Sequence, residues 1–242
     1  LDIHNIILST IDDNQEFVIE IPEEIREIFA FPRLGKTFKC ITGISTGNDK
    51  LYLSKIKGNG FNIPFYKNPG SCRFFTHPNA YLTDNFLDLD ATVENFIVRN
   101  KNLLYKPGIT CSSMGVTFTA CYLPANSTYG VNSNIIVDEG NTWWLLAYLN
   151  SHLVTFMVRG ILNRSNMITS GYVSRIPIPQ FSQNVKDKMA QIAWEAYKNQ
   201  VSPQAATQYV LAINDIIQKQ LCLSTETIAK IKLFAENIRL FT

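Results

Sequence analysis

The chain has 242 residues, 46% hydrophobic and 17% charged, a balance able to fill one large core or two small ones. No apolar run reaches the ~18–20 residues that a membrane-spanning helix needs, because the longest, Trp143 to Val158, is interrupted by Asn150, Ser151 and His152. The net charge of +2 hides an asymmetry: residues 1–30 carry eight acids and one base, whereas residues 31–180 carry fourteen bases and seven acids, so an anionic partner is expected at the middle of the chain.

In chain order, Phe17–Ile21 alternates and is β-branched, which predicts a strand. Pro22–Phe29 predicts a short helix with Pro22 at its first position and Glu23 and Glu24 at its positive end. From Phe38 to about Val137, short β-prone runs alternate with Gly, Asn, Pro and Ser. These runs are Thr37–Ile44, Lys50–Ile56, Thr92–Arg99, Gly115–Leu123 and Ser133–Val137. The intervening stretches Gly58–Ser71 and Thr76–Asp90 are too long for hairpin turns and are expected to be functional loops. Thr142–Leu162 predicts a helix capped by Asn141 or Thr142, and Gly171–Pro179 an extended segment, since each proline disfavours helix in the residue before it. After Gln180 the pattern is helical: Gln183–Asn199, a second helix starting at Ser202-Pro203, and a third after Ser224. The expected class is α+β, with a β-rich body over residues 1–180 and a helical subdomain over 181–242.

The five cysteines show no C-x-x-C spacing, so no zinc site is expected, and reduced thiols in a cytoplasmic protein are the reading we favour. There is no G-x-x-x-x-G-K-[ST], no G-x-G-x-x-G, no Pro-Pro pair and no H-E-x-x-H. The three histidines are far apart in sequence. Asp84, Asp88 and Asp90 form the one carboxylate cluster and lack an adjacent basic partner. No catalytic residue, metal or cofactor is expected in this chain.

Binding has better candidates. Gly43-Ile-Ser-Thr-Gly-Asn-Asp49 with Lys50 either presents backbone N–H groups, a hydroxyl, an amide and an ammonium to a phosphate, or is a polar turn between strands. Tyr66-Lys67 and Arg73-Phe-Phe75 interleave cations with aromatics, as nucleic-acid faces often do. Arg159, Arg164 and Arg175 bracket a polar stretch containing Asn166 and Tyr172, where side chains could reach base edges or phosphates.

Taken together, these segments resemble the TaqI-like C-terminal specificity domain, the target-recognition part of adenine-specific DNA methyltransferases. The pattern runs in order through Gly43–Tyr52, Pro64-Phe-Tyr-Lys67 with Arg73–Phe75, Lys106-Pro-Gly-Ile-Thr110, Phe118–Pro124, the helix containing Leu149-Asn-Ser151, and Ile176-Pro-Ile-Pro179. The resemblance covers roughly residues 31–241 and departs from the family at Cys111, where tryptophan is frequent. Ile176–Pro179 leading into Gln183–Asn199 also resembles the specificity subunits of type I restriction systems.

The resemblance implies sequence-specific binding of double-stranded DNA through Lys36, Thr46, Asn48, Lys50, Tyr66, Lys67, Arg73, Lys106, Arg159, Arg164, Asn166 and Tyr172. It also implies an upstream methyltransferase domain that binds S-adenosylmethionine and flips out an adenine, with or without a fused endonuclease. The chain opens on Leu1 without Met and is expected to be part of that longer protein. The alternative is an interaction or assembly module of a restriction or phage-defence complex.

Overall fold

The structure, a computed structural model, describes residues 6–11, 14–19, 21–115, 117–162 and 166–238, with backbone alone for residues 6–19. The class is α+β, 45% helix and 17% strand, with helices at the C-terminus. Strands β1 (Ile6–Ile11) and β2 (Asn14–Ile19) pair antiparallel. Helix α1 (Glu23–Ile28) follows, with Glu23 and Glu24 in its first turn and Ile25 and Ile28 buried; Pro22 is its N-cap, one position before the expected one.

Two four-stranded sheets form the β body. The first has the order β10 (Ala120–Leu123), β9 (Gly108–Cys111), β12 (Asn134–Ile136), β3 (Lys39–Ile41), all antiparallel. Gly108 permits the β9–β12 approach, because a Cβ there would sit 2.2 Å from the Ile135 carbonyl oxygen. The second has the order β11 (Thr128–Tyr129), β6 (Phe61–Tyr66), β7 (Ala80–Thr83), β5 (Leu53–Ser54). Here β11 runs parallel to β6, and the other pairs are antiparallel. Strands β4 (Ile44–Ser45) and β8 (Ile97–Val98) make a separate short pair.

Several expected boundaries move. Gly58–Ser71 and Thr76–Asp90 are not bare loops: they contain the paired strands β6 and β7, whose register is broken between Phe61 and Ile63. The expected strand Lys50–Ile56 begins instead as helix α3 (Asp49–Tyr52), because the Asn48 side chain accepts the Lys50 N–H and caps it. Thr92 closes helix α4 (Phe86–Thr92), which leaves a strand of two residues from the Thr92–Arg99 run.

The long apolar helix is bent. Helix α5 (Glu139–Leu149) starts three residues earlier than expected, since Asp138 accepts the Asn141 N–H and is the cap. It ends at Asn150, and Ser151 caps helix α6 (His152–Phe156), which runs on as a π-helical segment, Met157–Leu162. The two halves differ in direction by 66°. No single described helix is long and apolar enough to cross a membrane.

Asn150 explains the bend. Its side chain is fully buried; it accepts the Ala120 N–H at 3.1 Å and donates to the Ala120 and Leu146 carbonyls at 2.8 and 3.0 Å. The amide thereby supplies the partner of the buried Ala120 N–H and shares the Ala120 carbonyl with the Phe74 N–H, which donates to it at 2.9 Å. Two residues on, the His152 N–H donates to Asn214 at 2.9 Å. The Tyr148 hydroxyl donates to the Pro177 carbonyl at 2.6 Å, linking the Leu-Asn-Ser segment to Ile176–Pro179.

That segment in turn pairs with residues 32–34, the Leu34 N–H donating to the Ile176 carbonyl and the Ile178 N–H to the Pro32 carbonyl, each at 2.8 Å. Before it, part of the expected extended run folds as helix α7 (Ser170–Ser174), since the first proline comes only at 177 and restricts nothing upstream of Ile176.

After Gln180 come α8 (Gln183–Lys198), α9 (Ala206–Gln220) and α10 (Thr225–Asn237), with Ser182 and Ser224 capping α8 and α10. Helix α9 begins later than expected, because Ser202 accepts the Ala205 N–H within a preceding turn. These helices lay their apolar stripes on α5 and α6. Residues 181–238 therefore share one core with the body. The larger buried cluster runs from Ile21 through α5 to Ile231. A smaller one, with Ile44, Phe65, Leu82, Phe86, Phe96 and Tyr129, forms a lobe of its own within the β body.

Candidate functional site

Strand β4 delivers the chain to the surface of the smaller lobe, where Thr46-Gly-Asn-Asp-Lys50 turns into α3. Gly47 has φ +66°, a conformation that side chains disfavour, and a Cβ there would meet the Asn95 carbonyl oxygen at 2.7 Å. The Thr46 hydroxyl donates to Asp49 at 2.5 Å, and Lys67, at the end of β6, forms an ion pair with the same carboxylate. Burial alone would raise the Asp49 carboxyl. The hydrogen bonds from Lys67 and Thr46 and the charges of Lys67 and Lys55 outweigh it and hold the group below its usual range.

Asn79 braces the base of this arrangement. Its side chain accepts the Lys67 N–H at 2.7 Å, while Lys55 donates to its carbonyl at 2.8 Å. An open cleft of about 660 Å³ runs over Thr46, Asn48, Asp49, Lys50 and Lys67. A smaller one of about 270 Å³ continues past Lys50, Lys67 and Lys55.

Four sequence candidates, Thr46, Asn48, Lys50 and Lys67, therefore meet in one cleft. Thr46 and Asn48 already use their side chains to hold the turn and Lys67 is paired with Asp49, so the cleft's outward chemistry is the Lys50 ammonium beside the half-exposed Lys67–Asp49 pair. Lys36 lines a second cleft, of about 580 Å³, with Lys39, Asn100, Asn102 and Ser174. Tyr172 is half-buried on α7, which packs beside helix α2 (Leu34–Thr37) carrying Lys36. The Asn100 side chain donates to the Thr42 carbonyl at 2.9 Å, fixing the link between the two clefts.

Other candidates go elsewhere. Tyr66 is buried on β6, its hydroxyl pushed up to about 12 mainly by desolvation. Arg73 turns inward: its guanidinium donates to the Asn150 carbonyl at 2.7 Å, and burial lowers its pKa to about 10. Arg159 is also buried, donates to the Gly115 carbonyl and is lowered by burial. Both arginines hold backbone carbonyls that sheet and helix leave without partners, and neither is on either lysine cleft. Lys106 is exposed, beside Pro107 and away from both lysine clefts. Asn166 is exposed, and Arg164 lies outside the described residues.

The carboxylates of Asp84 and Asp90 have structural partners. Asp84 accepts the backbone and side-chain N–H groups of Asn62 at 2.9 and 2.7 Å. Asp90 accepts the Val98 N–H and pairs with Lys101, each at 2.5 Å. Among the described residues no three His, Cys, Asp or Glu side chains are grouped to hold a metal ion. Burial pushes the Cys40 thiol up to about 12 and those of Cys111 and Cys121 well above their ordinary value, so these are packing residues.

Sequence reasoning missed Lys55, Lys39 and Asn79. It also missed a third cleft, of about 850 Å³, between β10, α5 and α8, lined by Tyr122, Trp143, Trp194 and Tyr197. Its residues come from distant parts of the chain; the one local signal is the Trp194/Tyr197 pair at i,i+3 on α8, with Trp194 left 43% exposed.

No protein-family model and no curated protein matches the chain. Among solved structures, one similar chain comes from a study of the assembly and conformational transition of a type I R-M system. The similarity has a TM-score of 0.43 at 16% identity and covers 86% of this chain. It spans 44% of that structure's chain, so this chain corresponds to less than half of its length.

Proposed function

We propose that this chain is the DNA target-recognition domain of an adenine-specific restriction-modification methyltransferase. The observation that carries the reading is the cleft formed by the Thr46–Lys50 turn, Lys55 and Lys67. A rigid turn and a braced strand end gather the ammonium groups of Lys50, Lys55 and Lys67 along one open surface. Lys67 is paired with Asp49, the one carboxylate of its lining, and Lys55 bonds the Asn79 carbonyl, so three bases against one acid leave the surface positive. Such a surface suits phosphate oxygens spaced along a duplex. It positions DNA without reading it. Base reading would fall to exposed polar side chains such as Asn166 on the segment before α7. The chemistry would belong to a catalytic domain that supplies S-adenosylmethionine binding, and the setting would be the cytoplasm.

Fluorescence anisotropy of a labelled mixed-sequence duplex tests this. Binding should be measurable at 50 mM salt and fall with rising salt with a log–log slope of about −3, as expected for roughly three neutralised phosphates. Absence of binding by the 242-residue chain at 50 mM salt would sink the reading. The chain alone should transfer no labelled methyl group from S-adenosylmethionine to DNA. An assembly role is the second reading, and the aromatic cleft is the observation that favours it.

A further inference from the structure

The third cleft has a chemistry opposite to that of the lysine clefts. Tyr122 stacks on Trp143 with ring centroids 5.0 Å apart, Trp194 meets Trp143 edge-on at 4.8 Å, and Tyr197 touches all three. Glu139, in the first turn of α5 and exposed, is the one formally charged side chain among the described residues lining it. It lies close enough to help raise the Tyr122 hydroxyl, after burial and Tyr197. Residues 31–180, which supply Tyr122, Glu139 and Trp143, carry a surplus of seven basic charges, so a cleft of four aromatic rings and a carboxylate with no lysine or arginine in its described lining is electrostatically distinct.

Aromatic faces carry negative potential and attract cations, and a carboxylate at the rim adds to it. Phosphate is disfavoured by the same charge. An indole left 43% exposed in a cleft of about 850 Å³ has room for a planar group. We propose that this cleft docks an arginine side chain from a basic segment of a partner protein, the guanidinium stacking on the ring face of the part-exposed Trp194 and pairing with Glu139. Arginine with tryptophan and tyrosine is also the combination that dominates the energetics of protein interfaces. The inference does not depend on DNA binding, because its residues belong to neither lysine cleft.

The test is tryptophan fluorescence and indole N–H chemical shifts of the full 242-residue chain titrated with an acetylated Gly-Arg-Gly-Arg amide peptide. The controls are the same peptide with citrulline in place of arginine and a single-stranded oligothymidylate. The arginine peptide should perturb Trp143 and Trp194 and bind at least about fivefold more tightly than the citrulline peptide, the size of one partly desolvated cation–π contact. Glu139→Gln should weaken it about threefold, and Trp194→Ala about fivefold or more, with Trp194→Phe recovering part of the loss. Glu139 is exposed, so its variant keeps the test valid if Trp194→Ala misfolds. Equal affinity for arginine and citrulline peptides, no binding of either, or stronger perturbation of these indoles by oligothymidylate would each overturn the proposal, the last in favour of base stacking.

Discussion

The lysine cleft of the smaller lobe and the aromatic cleft of the larger one are built on opposite physical terms. The first rests on a two-residue strand pair, a four-residue helix and one half-exposed ion pair, and its polar side chains are occupied in holding a turn. The second rests on α5, buried from Trp144 to Leu149, and on strand β10, clamped by Asn150. Charges at the first lobe's surface are replaceable at little cost to the fold, whereas changes beneath the second propagate through the shared core. Function and stability should therefore separate between the two regions.

The largest effect is expected at Asn150. Asn150→Ala leaves the buried Ala120 N–H without a partner, removes one of the two hydrogen bonds to the Ala120 carbonyl, which keeps that from Phe74, and opens a space at the helix bend. The expected loss is about 2–4 kcal/mol, from roughly 1–3 kcal/mol for the orphaned donor plus the lost carbonyl bond and packing. Urea unfolding monitored by tryptophan fluorescence reads it. A loss below 1 kcal/mol would show that the bend does not depend on this amide, and would weaken the contrast between the lobes.

His152 gives the next effect. It sits largely buried at the start of α6, where burial first, then Arg73 and Lys232, push it down to about 4, with Glu236 acting in the opposite sense. The ordinary histidine value is 6.5, so between 6.5 and 4 the unfolded chain binds a proton that the folded chain refuses. Its contribution to stability is thus complete above 6.5 and is lost as pH falls through that window. Partial solvent access limits the loss to on the order of 2 kcal/mol. Thermal melts between pH 7 and 4 should show a falling midpoint that flattens in His152→Gln. An equally steep fall in that variant would remove His152 as the cause.

These two residues also show what was legible in the sequence. In the sequence, Leu149-Asn-Ser-His152 interrupts an apolar run and belongs to an ordered set of motifs. The helical periods of α8 and α10 and the start of α10 after Ser224 were readable because capping and amphipathicity are local, whereas Ser202, expected to cap α9, closes a turn before it. The role of Asn150 was not readable, since its partners are 30 and 77 residues away. The same limit explains Arg73 and Arg159. Beside aromatics or polar loops, an arginine reads as a phosphate contact; whether its guanidinium turns inward depends on carbonyls that only the tertiary fold leaves open. Thr46, Asn48, Lys50 and Lys67 converged because three of them share one turn and β6 returns beside it. Lys55 and the aromatic cleft were missed because nothing in their local spacing distinguishes them from surface lysine and core aromatic residues.

The smallest and sharpest effects concern lysines. Lys67→Ala and Lys55→Ala should each weaken duplex binding about three- to tenfold at 100 mM salt, equally across sequences, and reduce the salt slope by about 1. Neither should cost more than about 1 kcal/mol of stability, because the Lys67–Asp49 pair is half-exposed. Lys106→Ala should change DNA binding by less than about twofold, since this residue lies beside the aromatic cleft and apart from both lysine clefts. The comparison sets Lys106, which the motif pattern singled out, against Lys55, which geometry alone picks out. If anisotropy titrations show Lys106→Ala to be as damaging as Lys55→Ala, DNA runs over the aromatic side of the molecule as well, and the division of labour between the two clefts fails. If Lys55→Ala alone weakens binding, the phosphate track is confined to the smaller lobe, and the aromatic cleft is left open for a protein partner while DNA is bound.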